Sequence, residues 1–406
     1  MITKNTQRRA CIAAILFVIT AVYMPLAHTA EWSGNVSAQW RHFFSDPATS
    51  ASQQHNDYIS PAIEPEFYHA WDDEKQSITI TPFFRVDQYD DERAHGDIRE
   101  LIWRNQFKSW QIKAGIGKVF WGVTESQHLV DVINQTDFVE NMDGEDKLGQ
   151  PMIQTTFEQD WGNIDLFILP YFRERTFAGT EGRPRTLPAN SDQSSYESAD
   201  ETQHMDYAIR FFTSLDIWDI GLSYFDGTSR EPLFDPVNYY DPASNTLIPR
   251  YVQMQQAGID MQATTDEWLW KLELIHRNWA AENFIAATGG FEYTFVGLFD
   301  TTADIGWVAE YLYDNRGNSA TTFLEQDVMM GLRLALNDEA STDALLGFII
   351  DRETNETLIS FEAGRRIGSN WKLAVEARLF RNIDSTSLLY AIADDDFVQF
   401  DLAYYF

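Results

Sequence analysis

The chain has 406 residues, with 62 acidic and 30 basic side chains, one cysteine and a formal net charge of −32. That charge argues against nucleic acid, which is held through clustered Lys and Arg; the 28 Phe, 17 Tyr and 13 Trp argue against disorder; a lone Cys11 excludes a disulfide scaffold. Mean hydropathy is −0.34 and no long apolar stretch follows residue 26. A helical membrane bundle is thereby excluded, and one membrane class is left, the β-barrel, whose alternating strands average to an ordinary hydropathy.

Residues 1–30 read as a leader. Lys4, Arg8 and Arg9 form a positive start, residues 10–24 an apolar stretch, and Pro25-Leu26 breaks it before the small residues of AHTA at 27–30. This is the pattern of a secretory signal peptide cleaved after Ala30. Cys11 stands at the start of the apolar stretch, far from the cleavage site, and so is not a lipid-attachment site. Removal of the leader leaves 27 basic against 62 acidic residues and no cysteine.

From Trp32 onward the chain alternates with the period of two that places successive side chains on opposite faces of a strand. Eighteen strands are expected: 31–44, 59–71, 77–89, 96–108, 110–121, 151–160, 163–175, 203–216, 219–226, 250–264, 267–278, 287–299, 303–313, 323–336, 343–351, 356–367, 371–381 and 397–406. Sixteen result if two weak segments merge. In 267–276, Trp268, Trp270, Leu272 and Leu274 stand opposite Lys271 and Glu273; in 371–380, Trp371, Leu373, Val375, Ala377 and Leu379 oppose Lys372, Glu376 and Arg378. Connections alternate between short (72–75, 160–163, 265–267, 300–302, 368–370) and mostly longer (45–58, 122–150, 176–202, 227–249, 382–396). Short turns at one rim, long loops at the other and aromatics near strand ends fit a transmembrane antiparallel up-and-down barrel.

The last segment, VQFDLAYYF, carries Val398, Phe400, Leu402, Tyr404 and Phe406 on one face and ends on an aromatic. It resembles the C-terminal strand of Gram-negative outer-membrane barrels. The resemblance implies an outer-membrane location, contact with outer-membrane lipid and lipopolysaccharide, and recognition of Phe406 by the barrel assembly machinery; a homo-oligomer is compatible with it.

The strand phases point basic residues Arg85, Arg104, Lys113, Arg173, Arg210, Lys271, Arg333, Arg366, Lys372 and Arg378 inward. Acidic Asp87, Glu100, Glu273, Glu292, Glu310, Glu362, Glu376 and Asp401 share that face, where charges can also simply brace the wall across strands. The 122–150 connection is too long for a turn. It holds Glu125, Asp131, Asp137, Glu140, Asp143, Glu145 and Asp146 against Lys147, together with Leu129, Val130, Val132, Ile133, Phe138 and Val139. A solvated loop has no need of that apolar content, so the segment is expected to fold inward and narrow the pore; the alternative is a cover over the outer mouth. With the preceding GIGKVFWG (115–122), it resembles the constriction loop of porins and of porin-like families of uncharacterised substrate channels. The expected constriction joins Glu125, Asp131, Asp137, Glu140 and Asp143 to Arg85, Arg104, Lys113, Arg210, Arg333 and Arg378.

DGEDK (143–147) and DDD (394–396) lack EF-hand spacing and read as solvated acidic loops. No HExxH or GxSxG motif occurs. No catalytic residue, cofactor or metal is expected. The expected function is a channel for passive diffusion of small hydrophilic solutes, cation-preferring from its acidic excess. The alternatives are a substrate-selective channel gripping anions through wall arginines and a non-conducting surface receptor or structural barrel.

Overall fold

A computed structural model describes residues 30–47, 53–185, 189, 191–236, 247–280 and 282–406. The leader expected over 1–30 lies outside these residues except for Ala30, as do parts of the 45–58, 176–202 and 227–249 connections.

Eighteen strands form one antiparallel sheet. They are β1 Ala30–Phe43, β2 Asp57–Trp71, β3 Gln76–Arg85, β4 Gly96–Gln106, β5 Trp110–Gly117 and β6 Gln150–Gln159. There follow β7 Gly162–Leu169, β8 Asp206–Leu215, β9 Trp218–Thr228, β10 Gln253–Thr265, β11 Trp268–Trp279 and β12 Glu282–Phe295. The last six are β13 Asp304–Asp314, β14 Asp327–Ala335, β15 Asp343–Asp351, β16 Thr357–Ile367, β17 Trp371–Arg381 and β18 Phe397–Tyr405. Each strand pairs with the next, and β18 returns to β1 in a register running from Asn35↔Tyr405 to Phe43↔Phe397, so the sheet closes without an edge. Leu233–Pro236, Leu247–Tyr251 and Ser195–Tyr196 make a separate three-stranded sheet in the long connections.

Polarity is inverted relative to a sandwich core. On β11, Trp270 and Leu274 are 44% and 40% exposed on the outer face, whereas Glu273 between them is fully buried inside. Trp32, Trp218, Trp268, Trp371 and Tyr404 cluster near the short-turn rim, where Trp268 packs 4.7 Å from Tyr293 and Trp371 5.0 Å from Tyr404. The short turns reverse through left-handed residues such as Asp72, Asp216, Asp266 and Gly368, conformations that Asp, Asn and Gly tolerate best.

Three expected strands overrun at their long-loop ends, and 323–336 begins ahead of the observed start at Asp327. The segment 77–89 leaves the regular ladder after Arg85, 110–121 after Gly117 and 163–175 after Leu169, because each chain then turns from the wall toward the lumen or mouth. The strand expected at 287–299 runs instead from Glu282 to Phe295; Gly297 and Phe299 adopt positive φ and end it in a tight turn. Between β3 and β4 the register slips at Thr81/Pro82, which leaves Arg99 as the extra residue of a β-bulge.

Candidate functional site: a septum across the lumen

The connection between β5 and β6 spans 118–149. Asn134 pins its base: the side-chain oxygen accepts the Val119 N–H (2.8 Å), and the amide nitrogen donates to Gly117 O (2.9 Å) and Leu148 O (2.8 Å). The two limbs pair through Asp137 N–H to Asp146 O (2.7 Å) and Leu148 N–H to Gln135 O (2.9 Å). Gly122 makes the outward limb possible. Its φ is +137°, and a Cβ there would stand 2.9 Å from Glu273 Oε1 and 2.8 Å from the His128 ring.

The far end of the segment is held by two wall carboxylates. Glu273 of β11 accepts the Val123 N–H (2.8 Å), the Thr124 N–H (3.1 Å) and the Thr124 hydroxyl (2.7 Å) on Oε1, and the Val130 N–H (3.2 Å) on Oε2. Glu310 of β13 accepts the Glu125 N–H (2.7 Å), the Ser126 N–H (2.9 Å) and the Ser126 hydroxyl (2.6 Å). Glu125 itself pairs with Arg333 of β14 at 2.6 Å and lies 3.7 Å from Lys271. The returning limb is held on the opposite wall, where Asp137 meets Arg99 of β4 at 2.7 Å and Glu140 meets Arg85 of β3 at 2.8 Å. Asp143 reaches Arg378 of β17 at 3.2 Å. β4 and β13 stand nine places apart in a ring of eighteen strands. One segment is therefore bonded to both ends of a diameter, which makes it a septum.

Apolar packing fills the space around these bonds. Trp121, Val130, Val132 and Ile133 join wall residues including Phe167, Leu169, Phe225, Met254 and Ile275 in a buried cluster of fifteen. Met142 packs against a second cluster made by Phe380, Leu389 and Ile392 near the long-loop rim. At that rim Arg183 pairs with Asp395 (2.6 Å) and Arg93 donates to Val139 O (2.8 Å) and Gln39 Oε1 (2.6 Å). Among the described residues, the long-loop half of the lumen is a packed interior.

The electrostatics follow from that burial. Burial alone would raise the Asp137 carboxyl, but His95 and the Arg99 guanidinium outweigh it and hold the group below the usual carboxylate range. Glu140 is likewise held down against burial by Arg85 and Arg93. Asp143 and Asp146 go the other way: burial pushes Asp143 up to about 6 despite Arg378, and burial together with Glu140 and Asp143 pushes Asp146 up to about 7. Burial would lower His128, yet Glu145 and Glu273 raise it to about 10.

Of the residues expected at the constriction, Glu125–Arg333, Glu140–Arg85 and Asp143–Arg378 come together as ion pairs. Asp131 pairs within the segment, with Lys147 at 3.1 Å. Arg210 pairs with Asp260 of the wall (2.7 Å) and lies 5.1 Å from the Trp121 ring. Arg104 and Lys113 were expected to face the segment's carboxylates, but neither forms an ion pair within 4.0 Å among the described residues; they lie nearer the short-turn rim, as partners across β4 and β5. Arg99, the partner that Asp137 meets, was not among the expected residues because strict alternation puts it outside. The bulge turns it inward over the Phe83 ring (4.4 Å), and the one sequence signal was Pro82 inside a strand. The acidic run 394–396 is likewise not free: Asp395 and Asp396 pair with Arg183 and Arg381.

Two groups have metal-ligating side chains within 4.8 Å of one another. His95, Asp137 and Glu140 are already engaged by Arg85 and Arg99, so that group is neutralised by the chain itself. Glu325, Asp327 and Asp351 have no Lys or Arg within 4.0 Å among the described residues, and Asp327 and Asp351 are cross-strand partners.

No family model matches the chain, and no curated protein matches it in sequence. Among solved structures it is similar to Wzi of Escherichia coli, described as an outer-membrane protein involved in group 1 capsule assembly and a carbohydrate-binding β-barrel. The TM-score is 0.53 at 10% identity, over 98% of this chain and 88% of that one. A mutant porin of Rhodopseudomonas blastica aligns with TM-score 0.42 and 11% identity, over 93% of this chain and 100% of the porin. At these identities the likeness to Wzi concerns the fold.

Proposed function

We propose that this chain is an outer-membrane β-barrel held shut by its own 118–149 segment, acting as a surface-facing receptor or structural barrel rather than an open diffusion pore. The observation that supports this is the anchorage of one segment to Arg99 on β4 and Glu310 on β13, across a diameter, with a fifteen-residue apolar cluster beside it. An open aqueous path has no use for such a cluster. The outer belt of Trp, Tyr, Phe, Leu and Ile would be covered by outer-membrane lipid, with lipopolysaccharide on the long-loop side. Wzi is described as carbohydrate-binding, so a polysaccharide is the first ligand class to test at the long-loop face. We propose no catalytic role.

A second reading keeps the passive channel for small hydrophilic solutes and makes the septum its gate. It is favoured by the chemistry of the anchors, which are ion pairs and hydrogen bonds that water can replace. The two readings part in planar bilayers. The closed barrel predicts no steady conductance from the wild type and large steps once 129–146 is deleted. Steady wild-type steps comparable to those of the deletion would reject closure and support the channel.

A further inference from the structure

We infer that the short-turn half of the lumen is a binding chamber for a zwitterion, a small group carrying both an ammonium and an oxyanion. Against the underside of the septum lies a cavity of about 290 Å³, walled by the anchors Arg85, Arg99 and Glu140 and, below them, by Glu64, Lys118 and Asp401; Glu66, Glu100, Arg104 and Lys113 follow on the same strands toward the short-turn rim, outside its lining. The wall of β2, β4 and β5 from this level toward the rim carries Glu64, Glu66 and Glu100 together with Arg104 and Lys113, and Lys118 follows β5. Glu100 is within electrostatic reach of Lys113, Lys118, Glu64 and Glu66. Among the described residues none of these six charges forms an ion pair within 4.0 Å, and none is fully buried.

The contrast with the septum level is the argument. There, Arg85, Arg99, Arg333 and Arg378 each have a carboxylate partner at 3.2 Å or less. A wall braced by its own charges would pair them in the same way below. Instead Arg104 and Lys113 occupy directly opposed positions on neighbouring strands, a like-charge arrangement that is repulsive as it stands, and the Arg104 Nε–H is buried without an acceptor. Ser77 and Gln154 continue the same row on β3 and β6; Ser77 adds a hydroxyl, while the Gln154 amide is already held by Asp165 at 3.1 Å. An oxyanion relieves this cationic row, and an ammonium answers the three glutamates beside it. A simple anion would satisfy only half of the chamber.

The same chemistry reaches the chamber free in solution or as a lipid headgroup. The β2–β3 ladder is interrupted between the rungs Ile63↔Phe84 and Phe67↔Ile80, where the register sets Pro65 opposite Pro82. Neither proline has an N–H to donate, so that rung is lost beside cavity residues Glu64 and Phe83. Pro65 is buried and Pro82 half-buried at this seam, so a lipid-borne headgroup entering from the bilayer would have to part the strands at this rung, where no main-chain bond resists it.

The test uses phosphoethanolamine as the soluble probe, titrated by phosphorus NMR into the full mature chain in detergent. Saturable binding is expected, weakened about tenfold or more in Arg104→Gln/Lys113→Gln and in Glu64→Gln/Glu66→Gln, since each removes charge-assisted bonds. Inorganic phosphate and ethanolamine should bind no better than those variants. In parallel, the protein is extracted from vesicles of phosphatidylethanolamine and phosphatidylglycerol, and retained lipid is measured by native mass spectrometry. The oxidised Pro65→Cys/Pro82→Cys variant closes the seam. Selective retention of phosphatidylethanolamine that the closed seam abolishes, without binding of the soluble probe, identifies a lipid source; soluble binding indifferent to the seam identifies a free ligand. Heat-modified gel mobility checks folding, and Lys113→Gln with Glu66→Gln replace any double variant that fails to fold. The inference is overturned if neither probe binds, if inorganic phosphate matches phosphoethanolamine, or if the charge variants bind as the wild type does. Bilayer conductance does not enter these readouts, so the chamber and the closed septum fail separately.

Discussion

Replacing Glu310 by alanine isolates the far anchor of the septum. The side chain projects from the middle of β13 and accepts three hydrogen bonds, at 2.7, 2.9 and 2.6 Å, from Glu125 and Ser126. A hydrogen bond to a charged group contributes about 1.5–3 kcal/mol, so the three have a ceiling of about 4–9 kcal/mol. Water entering from the lumen would recover much of this, because the freed N–H groups face a polar space. The expected net loss is about 2–4 kcal/mol, which raises the population of a detached tip by roughly thirty- to nine-hundred-fold. Glu125 keeps its pair with Arg333, so detachment is transient. The barrel wall loses no main-chain bond, and heat-modified gel mobility should remain that of the wild type. In planar bilayers the wild type should be silent and Glu310→Ala should flicker between closed and conducting levels. A folded Glu310→Ala barrel as silent as the wild type, with protease or label access at Ser126 unchanged, would refute the anchoring argument.

Breaking the opposite anchor with Asp137→Asn should cost about 1–3 kcal/mol of local stability, because Arg99 loses its 2.7 Å carboxylate partner and keeps only Asp97 at 3.3 Å; hydrogen exchange over 134–148 reads this directly. The septum should loosen as pH rises. His128, raised in the folded chain, contributes stability fully present below its unfolded value near 6.5 and lost toward about 10, while Asp146, raised to about 7, disfavours the folded segment once it ionises above its unfolded value near 4. The flicker of Glu310→Ala should therefore increase from acid to alkaline pH, and His128→Gln in that background should abolish the alkaline part; a flat profile between pH 6 and 10 would contradict it. Gly115→Val places a Cβ 1.9 Å from Leu101 O at a φ of +137° and should prevent β4–β5 pairing, read as loss of the heat-modifiable band. Phe406→Asp should reduce outer-membrane levels and leave a heat-sensitive intermediate, measured by fractionation.

The barrel was legible because its signal is local and repeated. Trp268, Trp270, Leu272 and Leu274 need only a period of two to announce a face, and the register of β11 against β10 and β12 places them there. The errors fall where alternation outlasts the regular ladder. Val86 and Gln88 still donate to Pro61 O (3.0 Å) and Ile59 O (3.1 Å), so the longer reading of that strand follows real pairing beyond the point where β3 ends. At β12 the opposite happened: Glu282 to Ala286 continue the wall, but NFIAA carries too little polar alternation to declare itself a strand.

The site was legible in its charges and illegible in its partners. Seven carboxylates within an apolar-rich connection told that the segment has an interior to meet, and Glu125, Glu140 and Asp143 did meet wall arginines. Which arginine each one meets depends on where the segment crosses, and this is fixed by Glu273 and Glu310, some 150 to 185 residues away in sequence. Those two glutamates alternate like any inward charge, and nothing local marks them as acceptors for backbone N–H groups. Arg99 was hidden by a different mechanism. A single extra residue reverses the face of everything on one side of it, so a bulge changes the inside of the barrel without changing the composition of the strand. Pro82 stands at the slip, but its missing N–H lies on the β2 side, where Val86 donates to Pro61 O, whereas Arg85 donates to His95 O on the β4 side. The extra residue belongs to β4 and delivers a guanidinium to Asp137. One short stretch of wall thus carries one anchor of the septum and the interrupted rung beneath it. Pro82→Val restores a donor toward β2 and should therefore tighten the β2–β3 seam while the Arg99–Asp137 contact stays, two outcomes that hydrogen exchange can read within one variant; loosening of 134–148 would refute the separation.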